Sequence, residues 1–206
     1  MLDHIVYAVP DLAKAVSDLE QRLGVRATPG GKHTGLGTHN ALLSLSDESY
    51  IEVIGPDPDQ PPPAVPRPFG IDALTEPRLI TWLAKATDLD KQVEQARAHG
   101  YDLGRITPMH RDLPDGTHIE WRLVIPAQPL GGDGLVPVLI EWHTTLHPAK
   151  TSARGCTLVE LHGEHPQPET VHSILKAMGL SLDIRPGAAP ALSATLDTPK
   201  GRIVLR

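Results

Sequence analysis

Met1-Leu-Asp-His-Ile-Val-Tyr-Ala-Val-Pro-Asp-Leu12 is the stretch whose reading decides the fold. Leu2 to Val9 is rich in β-branched and apolar residues and runs into Pro10, so it predicts a strand that stops there. Asp11 is a good helix N-cap. Leu12, Val16, Leu19 and Leu23 then recur at helical spacing, and Gly24 suits the C′ position that closes the helix. His4 sits inside the strand between apolar neighbours. Tyr50-Ile-Glu-Val-Ile-Gly55 predicts a second strand that carries Glu52 in the same kind of setting. A polar side chain in an apolar sheet face is costly unless it is paired or bound to something. Two such positions in one short unit mark a candidate site.

Between these strands, Gly30-Gly-Lys-His-Thr-Gly-Leu-Gly37 matches neither a phosphate-binding loop nor a dinucleotide fingerprint, and no helical pattern follows it. It reads as a flexible connection to a strand over His39 to Leu45, with a turn at Ser46 to Ser49. The first unit, 1–55, is therefore strand, helix, then two or three strands. Residues 56–77 form a linker, since Pro56 to Pro68 with three consecutive prolines at 61–63 excludes helix and central strand. The opening pattern then returns over 78–147. Val9-Pro-Asp-Leu12 is set against Ala86-Thr-Asp-Leu89, an offset of 77 residues (88 − 11), with a helical stripe at Leu89, Val93 and Ala96 ending at Gly100. Strands are expected over Tyr101 to Met109 and Thr117 to Pro126, around a turn at Leu113-Pro-Asp-Gly116. The last strand of this copy runs from Leu135 to His143, and its Leu139-Ile-Glu-Trp142 echoes Tyr50-Ile-Glu-Val53. A third, partial copy over 154–206 shows a strand at Cys156 to His162, a helix from Pro168 to Met178 and strands near Leu182, Ala191 and Arg202. Repeated βαβββ modules imply an α+β fold: one mixed, curved sheet with the helices on its outer face.

Composition narrows the functional classes. The 206 residues are 40 % hydrophobic and 21 % charged, which is globular and long enough for a sizeable core. Net charge of −6 argues against a nucleic-acid partner. No apolar run spans a membrane and no leader pattern opens the chain, so no membrane partner is expected. The single cysteine, Cys156, excludes an internal disulfide, fits a cytoplasmic protein and reads as a small buried residue. Eleven histidines supply metal-ligand candidates.

Leu2-Asp-His-Ile-Val-Tyr-Ala-Val-Pro-Asp-Leu12, with Gly30-Gly-Lys-His33, Gly37-Thr-His-Asn-Ala-Leu42 and Tyr50-Ile-Glu-Val-Ile54, resembles the glyoxalase-like branch of the vicinal oxygen chelate superfamily, which also holds extradiol dioxygenases and bleomycin-resistance proteins. The resemblance covers roughly residues 1 to 145. It implies two modules facing each other, a sheet curled into a cup, and a divalent metal (Zn, Mn, Ni or Fe) on the cup floor. The ligands it implies are His4 from the first strand, and Glu52 and Glu141 from the last strand of each module. The first-strand position of module two is Thr81 at the 77 offset, and threonine is a poor ligand. Three protein ligands still suit a catalytic metal. Either glutamate could leave the metal and carry a proton, so Glu52 and Glu141 are also the catalytic candidates. The third unit has Val159 and Ile203-Val-Leu205 at the corresponding places. It is read as structural, packing against the pair or building a homodimer contact.

Three further residues are substrate-binding candidates. Alternation puts His143 on the same sheet face as Glu141, where it replaces the missing ligand or bonds substrate. Arg122, on one strand face with His118 and Glu120, suits an anionic group. His39, with His33, flanks the glycine segment, a candidate lid over the cup.

Two functions of different class follow. One is a metal-dependent lyase or isomerase that stabilises an enolate of a small carbonyl or vicinal-oxygen substrate. Extradiol ring cleavage ranks behind it, because that chemistry favours two histidines and one carboxylate. The other is a metal-free protein that sequesters a small molecule in the cup, lined by Trp82, Trp121 and Trp142. Convergence of His4, Glu52 and Glu141 on one point is the feature that separates the two.

Overall fold

The computed structural model describes residues 1–112, 118–125, 130–144 and 146–206; the turn expected at Leu113 to Gly116 lies outside them. β1 (Leu2–Ala8) is almost wholly buried, including its two polar residues, Asp3 and His4. It feeds α1 (Leu12–Leu23), whose first turn is capped by the Asp11 carboxylate accepting from Lys14 N–H. The helix ends at Gly24, whose φ of 79° is the left-handed conformation that glycine adopts freely. β2 (Thr28–His33), β3 (Thr38–Ser44) and β4 (Tyr50–Pro56) complete the module. The glycine segment is therefore an edge strand as far as His33, not a flexible connection. Its extended backbone is held by β3, with a bulge between Pro29 and Gly31.

Module two repeats the order with β5 (Arg78–Lys85), α2 (Leu89–Ala98), β6 (Arg105–Asp112), β7 (His118–Ile125) and β8 (Val138–Trp142). Eight strands form one curled mixed sheet in the order β2-β3-β4-β1-β5-β8-β7-β6. β1 and β5 lie antiparallel at its centre. Each pairs in parallel with the last strand of its own module.

The remaining chain runs β9 (Thr157–His165), α3 (Pro168–Ala177), β10 (Asp183–Pro186), β11 (Ala191–Thr198) and β12 (Gly201–Leu205). The order of elements is that of the modules, but the pairing is not. β9 lies between β10 and β11 in a separate four-stranded sheet, instead of beside the unit's last strand. This sheet packs against the pair. Leu192, Ala194, Leu196 and Leu205 join α1, α2, α3 and the convex face of the large sheet in one core. Cys156 is buried there, and burial pushes its thiol up.

The concave face is a second apolar surface. Val6, Ala8, Ile54, Ile80, Leu83, Val138 and Ile140 form its floor. The proline-rich segment is not merely a linker, because Ile71, Phe69 and Leu74 pack onto that floor and residues 65–70 wall the cup. Phe69 holds a φ of 61°, a left-handed conformation rare outside glycine, at a kink that it shares with Gly70. Among the described residues no helix is long and apolar enough to cross a membrane.

Candidate functional site

A cavity of about 470 Å³ fills the cup, with a mostly apolar lining that includes Leu83, Trp121, Val138, Ile140, Trp142 and Phe69. Its polar end is built almost entirely by module one: His4, His33, Asn40 and Glu52. All four side chains are buried or nearly so, which demands partners for their polar atoms.

His4 finds its first partner next door. A bulge between Leu2 and His4 in the β1–β5 pairing displaces Asp3. The His4 imidazole donates Nδ1–H to Asp3 Oδ1 at 2.6 Å and stacks on Tyr50 with ring centroids 4.5 Å apart. Asp3 Oδ2 accepts from Trp142 Nε1 at 2.9 Å and from His147 Nε2 at 3.0 Å. Burial pushes the Asp3 carboxyl up, but the hydrogen bonds from His147 and His4 outweigh it and hold the group well below the usual carboxylate range. An ionised Asp3 fixes the orientation of His4, so Nε2 is the nitrogen presented to the cup.

Glu52 faces it. Its Oε2 lies 3.7 Å from His4 Nε2, and its Oε1 accepts from Asn40 Nδ2 at 2.6 Å. The Asn40 amide is oriented by Gly31 N–H, which donates to Oδ1 at 2.9 Å. The same Nδ2 lies 3.3 Å from His33 Nε2, and His33 Nδ1 lies 2.9 Å from Thr38 Oγ1. Asn40 thus uses one carboxylate oxygen of Glu52 and the Nε2 lone pair of His33. A Cβ on Gly30 would stand 2.1 Å from Asn40 Oδ1, so the bare backbone there is a condition of the site.

Glu141 does not join this cluster. Its carboxylate accepts from Leu89 N–H at the start of α2 (3.1 Å) and from Arg122 Nε and Nη2 (2.8 and 2.5 Å). His143 Nε2 lies 2.9 Å away, and Arg122 also meets Asp90 at 2.7 Å. Glu141, Arg122 and His143 therefore lie together on the helix face of the sheet, while Ile140 and Trp142 occupy the cup face. Burial raises the Glu141 carboxyl, but the bonds from His143, Arg122 and Leu89 lower it overall. This network ties α2 to β8 and β7.

The physical reason is register. Ala8 pairs with Ile54 and Lys85 with Ile140. The first strands are thus related by 77 residues (85 − 8) and the last strands by 86 (140 − 54). By that register Glu52 corresponds to Val138 (52 + 86). The Ile-Glu echo in β8 is displaced by three residues, an odd number, which puts Glu141 on the opposite face. Thr81, the counterpart of His4, is buried with its hydroxyl 3.5 Å from Trp82 O. His39 lies outside the cup lining and acts electrostatically on Asp57. Trp82 belongs to the convex core, bonded to Leu135 O at 2.9 Å, so the cup tryptophans are Trp121 and Trp142. Asp3, Asn40 and His147, which hold the His4 and Glu52 side chains directly or, for His147, through Asp3, and Arg67, which lines the cavity, are candidate site residues that the sequence reading missed. For Asn40 a signal existed, since alternation places it on the face of β3 that carries Leu42.

A metal is what the fold leads one to test for. Among the described residues no group of three or more His, Cys, Asp or Glu side chains is arranged to hold one. His4 Nε2 and Glu52 Oε2 are two donors, and the Asn40 amide stands on the atoms of His33 and Glu52 that a third bond would need. The residues as arranged do not make the three-ligand set of a catalytic metal.

The chain matches the family model described as a glyoxalase-like domain over residues 2–179. It belongs to the glyoxalase-like domain family. That membership places the glyoxalase-like chain in the vicinal oxygen chelate superfamily. A hypothetical protein of Staphylococcus aureus shares this glyoxalase-like fold, with a TM-score of 0.69 at 14 % identity over 92 % of this chain and 87 % of its own. Methylmalonyl-CoA epimerase from Mycobacterium tuberculosis is similar over 68 % of this chain and 85 % of its own, with a TM-score of 0.43 at 18 % identity. A singly substituted Streptomyces coelicolor methylmalonyl-CoA epimerase, in complex with 2-nitronate-propionyl-CoA, gives 0.46 and 19 % over 72 % and 98 %. A search of curated proteins gives no match.

Proposed function

We propose that this glyoxalase-like protein moves a proton at the carbon beside the carbonyl of a small substrate held in the cup, an isomerase or lyase type of reaction. The observation that carries the reading is the facing of His4 Nε2 and Glu52 Oε2, 3.7 Å apart, at the polar end of an apolar cavity. With Asp3 behind it to balance the charge, a His4 imidazolium can donate Nε2–H to a carbonyl oxygen. Glu52 has one oxygen fixed by Asn40 and the other directed to the cup, and so serves as the base. The C–H bond breaks, its proton goes to Glu52 Oε2, and its electron pair moves into the C=C of an enol while the oxygen takes the His4 proton. Delivery of a solvent proton to the opposite face of that carbon, as the enol O–H proton returns to His4 Nε2 and Glu52 releases its own to solvent, yields the isomer. Departure of a β-substituent with its bonding pair, as the O–H proton returns to His4 and the Glu52 proton goes to the leaving group or solvent, yields a lyase product. The low-dielectric cup strengthens both interactions.

The metal-dependent version of this chemistry is the second reading. The observation in its favour is that His4, His33 and Glu52 are donor types that suit Fe²⁺, Mn²⁺, Ni²⁺ or Zn²⁺, with His33 Nε2 3.8 Å from Glu52 Oε1. It requires the Asn40 amide to move aside. Sequestration of an apolar ligand without reaction is what the lining alone would support.

Exchange of carbonyl-adjacent protons with deuterated water, followed by NMR over a panel of small ketones and aldehydes, separates these. Exchange by metal-depleted protein, reduced about 10²-fold or more in Glu52→Gln, is the expected result. Exchange that appears only with near-stoichiometric bound metal replaces it with the metal-dependent reading. Ligand binding with no exchange under either condition overturns the enzyme reading in favour of sequestration.

A further inference from the structure

The cup wall contains one Lys or Arg among the described residues, and it comes from the proline-rich segment. Arg67 stands between Pro66 and Pro68, where two fixed φ angles limit its backbone. Its Nε donates to Gly37 O at 2.8 Å, its backbone N–H to Asp72 Oδ2 at 3.0 Å, and its Nη1 to Asp72 Oδ1 at 2.5 Å. Nη2 has no partner among the described residues. The side chain is 19 % exposed, and its neighbours on the wall include Leu36, Val65 and Phe69. A guanidinium held this firmly, mostly out of water, on a residue that lines an apolar cavity and with Nη2 left without a partner among the described residues, is preorganised for an oxyanion.

Its position relative to the polar end sets a length. Arg67 is anchored at Gly37, beside the Thr38–Pro56 pair that closes β3 and β4. Glu52 lies four residues back along β4, about 13 Å of strand. Gly37 permits this docking, because a Cβ there would stand 2.8 Å from Pro63 and 3.3 Å from Arg67 Nε. We infer that the ligand of the cup is a carbonyl compound whose apolar body carries an anionic group, a carboxylate or a phosphate, several bonds from the reacting carbon, and that Arg67 grips that group. This rests on the carbonyl-binding reading above and adds the substrate class to it.

Calorimetric titration with 9-oxodecanoate and 2-decanone tests it, since the two share a methyl ketone and an apolar chain and differ in the terminal carboxylate. The wild-type protein is expected to bind the keto acid about tenfold or more tightly than the ketone. That ratio should fall to near one in Arg67→Met, persist in part in Arg67→Lys, and shrink for the wild type in high salt. Thermal unfolding establishes that both variants are folded, and the salt series needs neither. Equal wild-type affinity for the two ligands, or a ratio unmoved by Arg67→Met, overturns the anionic grip and leaves the carbonyl cup standing. Binding of neither ligand overturns the cup reading and this inference with it.

Discussion

At the residue scale the site is a competition for lone pairs. Asp3 accepts from three side chains, and its depressed carboxyl makes stability depend on pH. The group is charged in the folded protein down to a lower pH than in the unfolded chain, whose aspartates titrate near ~3.9. The stabilisation is therefore complete above that value and is lost as pH falls through the folded one. Asp3→Ala should cost about 3 kcal/mol at pH 7, by leaving Trp142, His147 and His4 without their acceptor. The difference from wild type should shrink below about pH 4, as read by urea unfolding at both values. Glu141→Gln should behave otherwise. It loosens a part-exposed network on the far face of the sheet, costs about 1–2 kcal/mol, and leaves ligand affinity in the cup unchanged. A loss of affinity in Glu141→Gln would return Glu141 to the site. His4 and Glu52 were legible as a site because each interrupts an apolar strand. Asn40 was legible only through the alternation that sets it on the Leu42 face of β3, and Asp3 was not, because a polar residue within a bulge looks ordinary until its neighbours are known.

Elements show why one module reads more easily than the other. The N-caps of α1 and α2 follow from local chemistry, with Asp11 and Asp88 both accepting from the third residue on. Register does not, because it depends on what pairs across the sheet. A motif of two residues, Ile-Glu, slid by three positions in β8 and so changed face. The glycine segment is hard to read for a related reason: an edge strand with no apolar alternation is defined by its partner, β3, and not by its own residues. Gly30→Ala tests the importance of that partner. The new methyl must displace the Asn40 side chain, so the variant should lose about 1–3 kcal/mol of stability and its grip on Glu52 while keeping its circular dichroism. Asp11→Ala, by contrast, should cost about 1 kcal/mol and leave the cup intact.

For the whole molecule, the consequence of the shared convex core is cooperativity. The third unit supplies Leu175, Met178, Leu192, Ala194 and Leu196 to the same cluster as α1 and β1. Calorimetry should therefore show one unfolding transition whose van't Hoff and calorimetric enthalpies agree. A chain ending at residue 155 should lose its cooperative transition, whereas two separate transitions in the full chain would mean that the units fold independently. The repeat in the sequence announced the paired modules correctly. It did not announce the different strand order of the third unit, because element order alone leaves the pairing open.

The placement of the tryptophans gives the molecule its own optical reporter. There are three, and two of them, Trp121 and Trp142, stand with ring centroids 5.4 Å apart in the wall of the cavity. The indole of Trp142 is bonded to the carboxylate that orients His4. The third, Trp82, is sealed in the opposite core and supplies a constant background. Emission that changes on filling the cup, or on protonating Asp3, can therefore be assigned to one end of one cavity without a label.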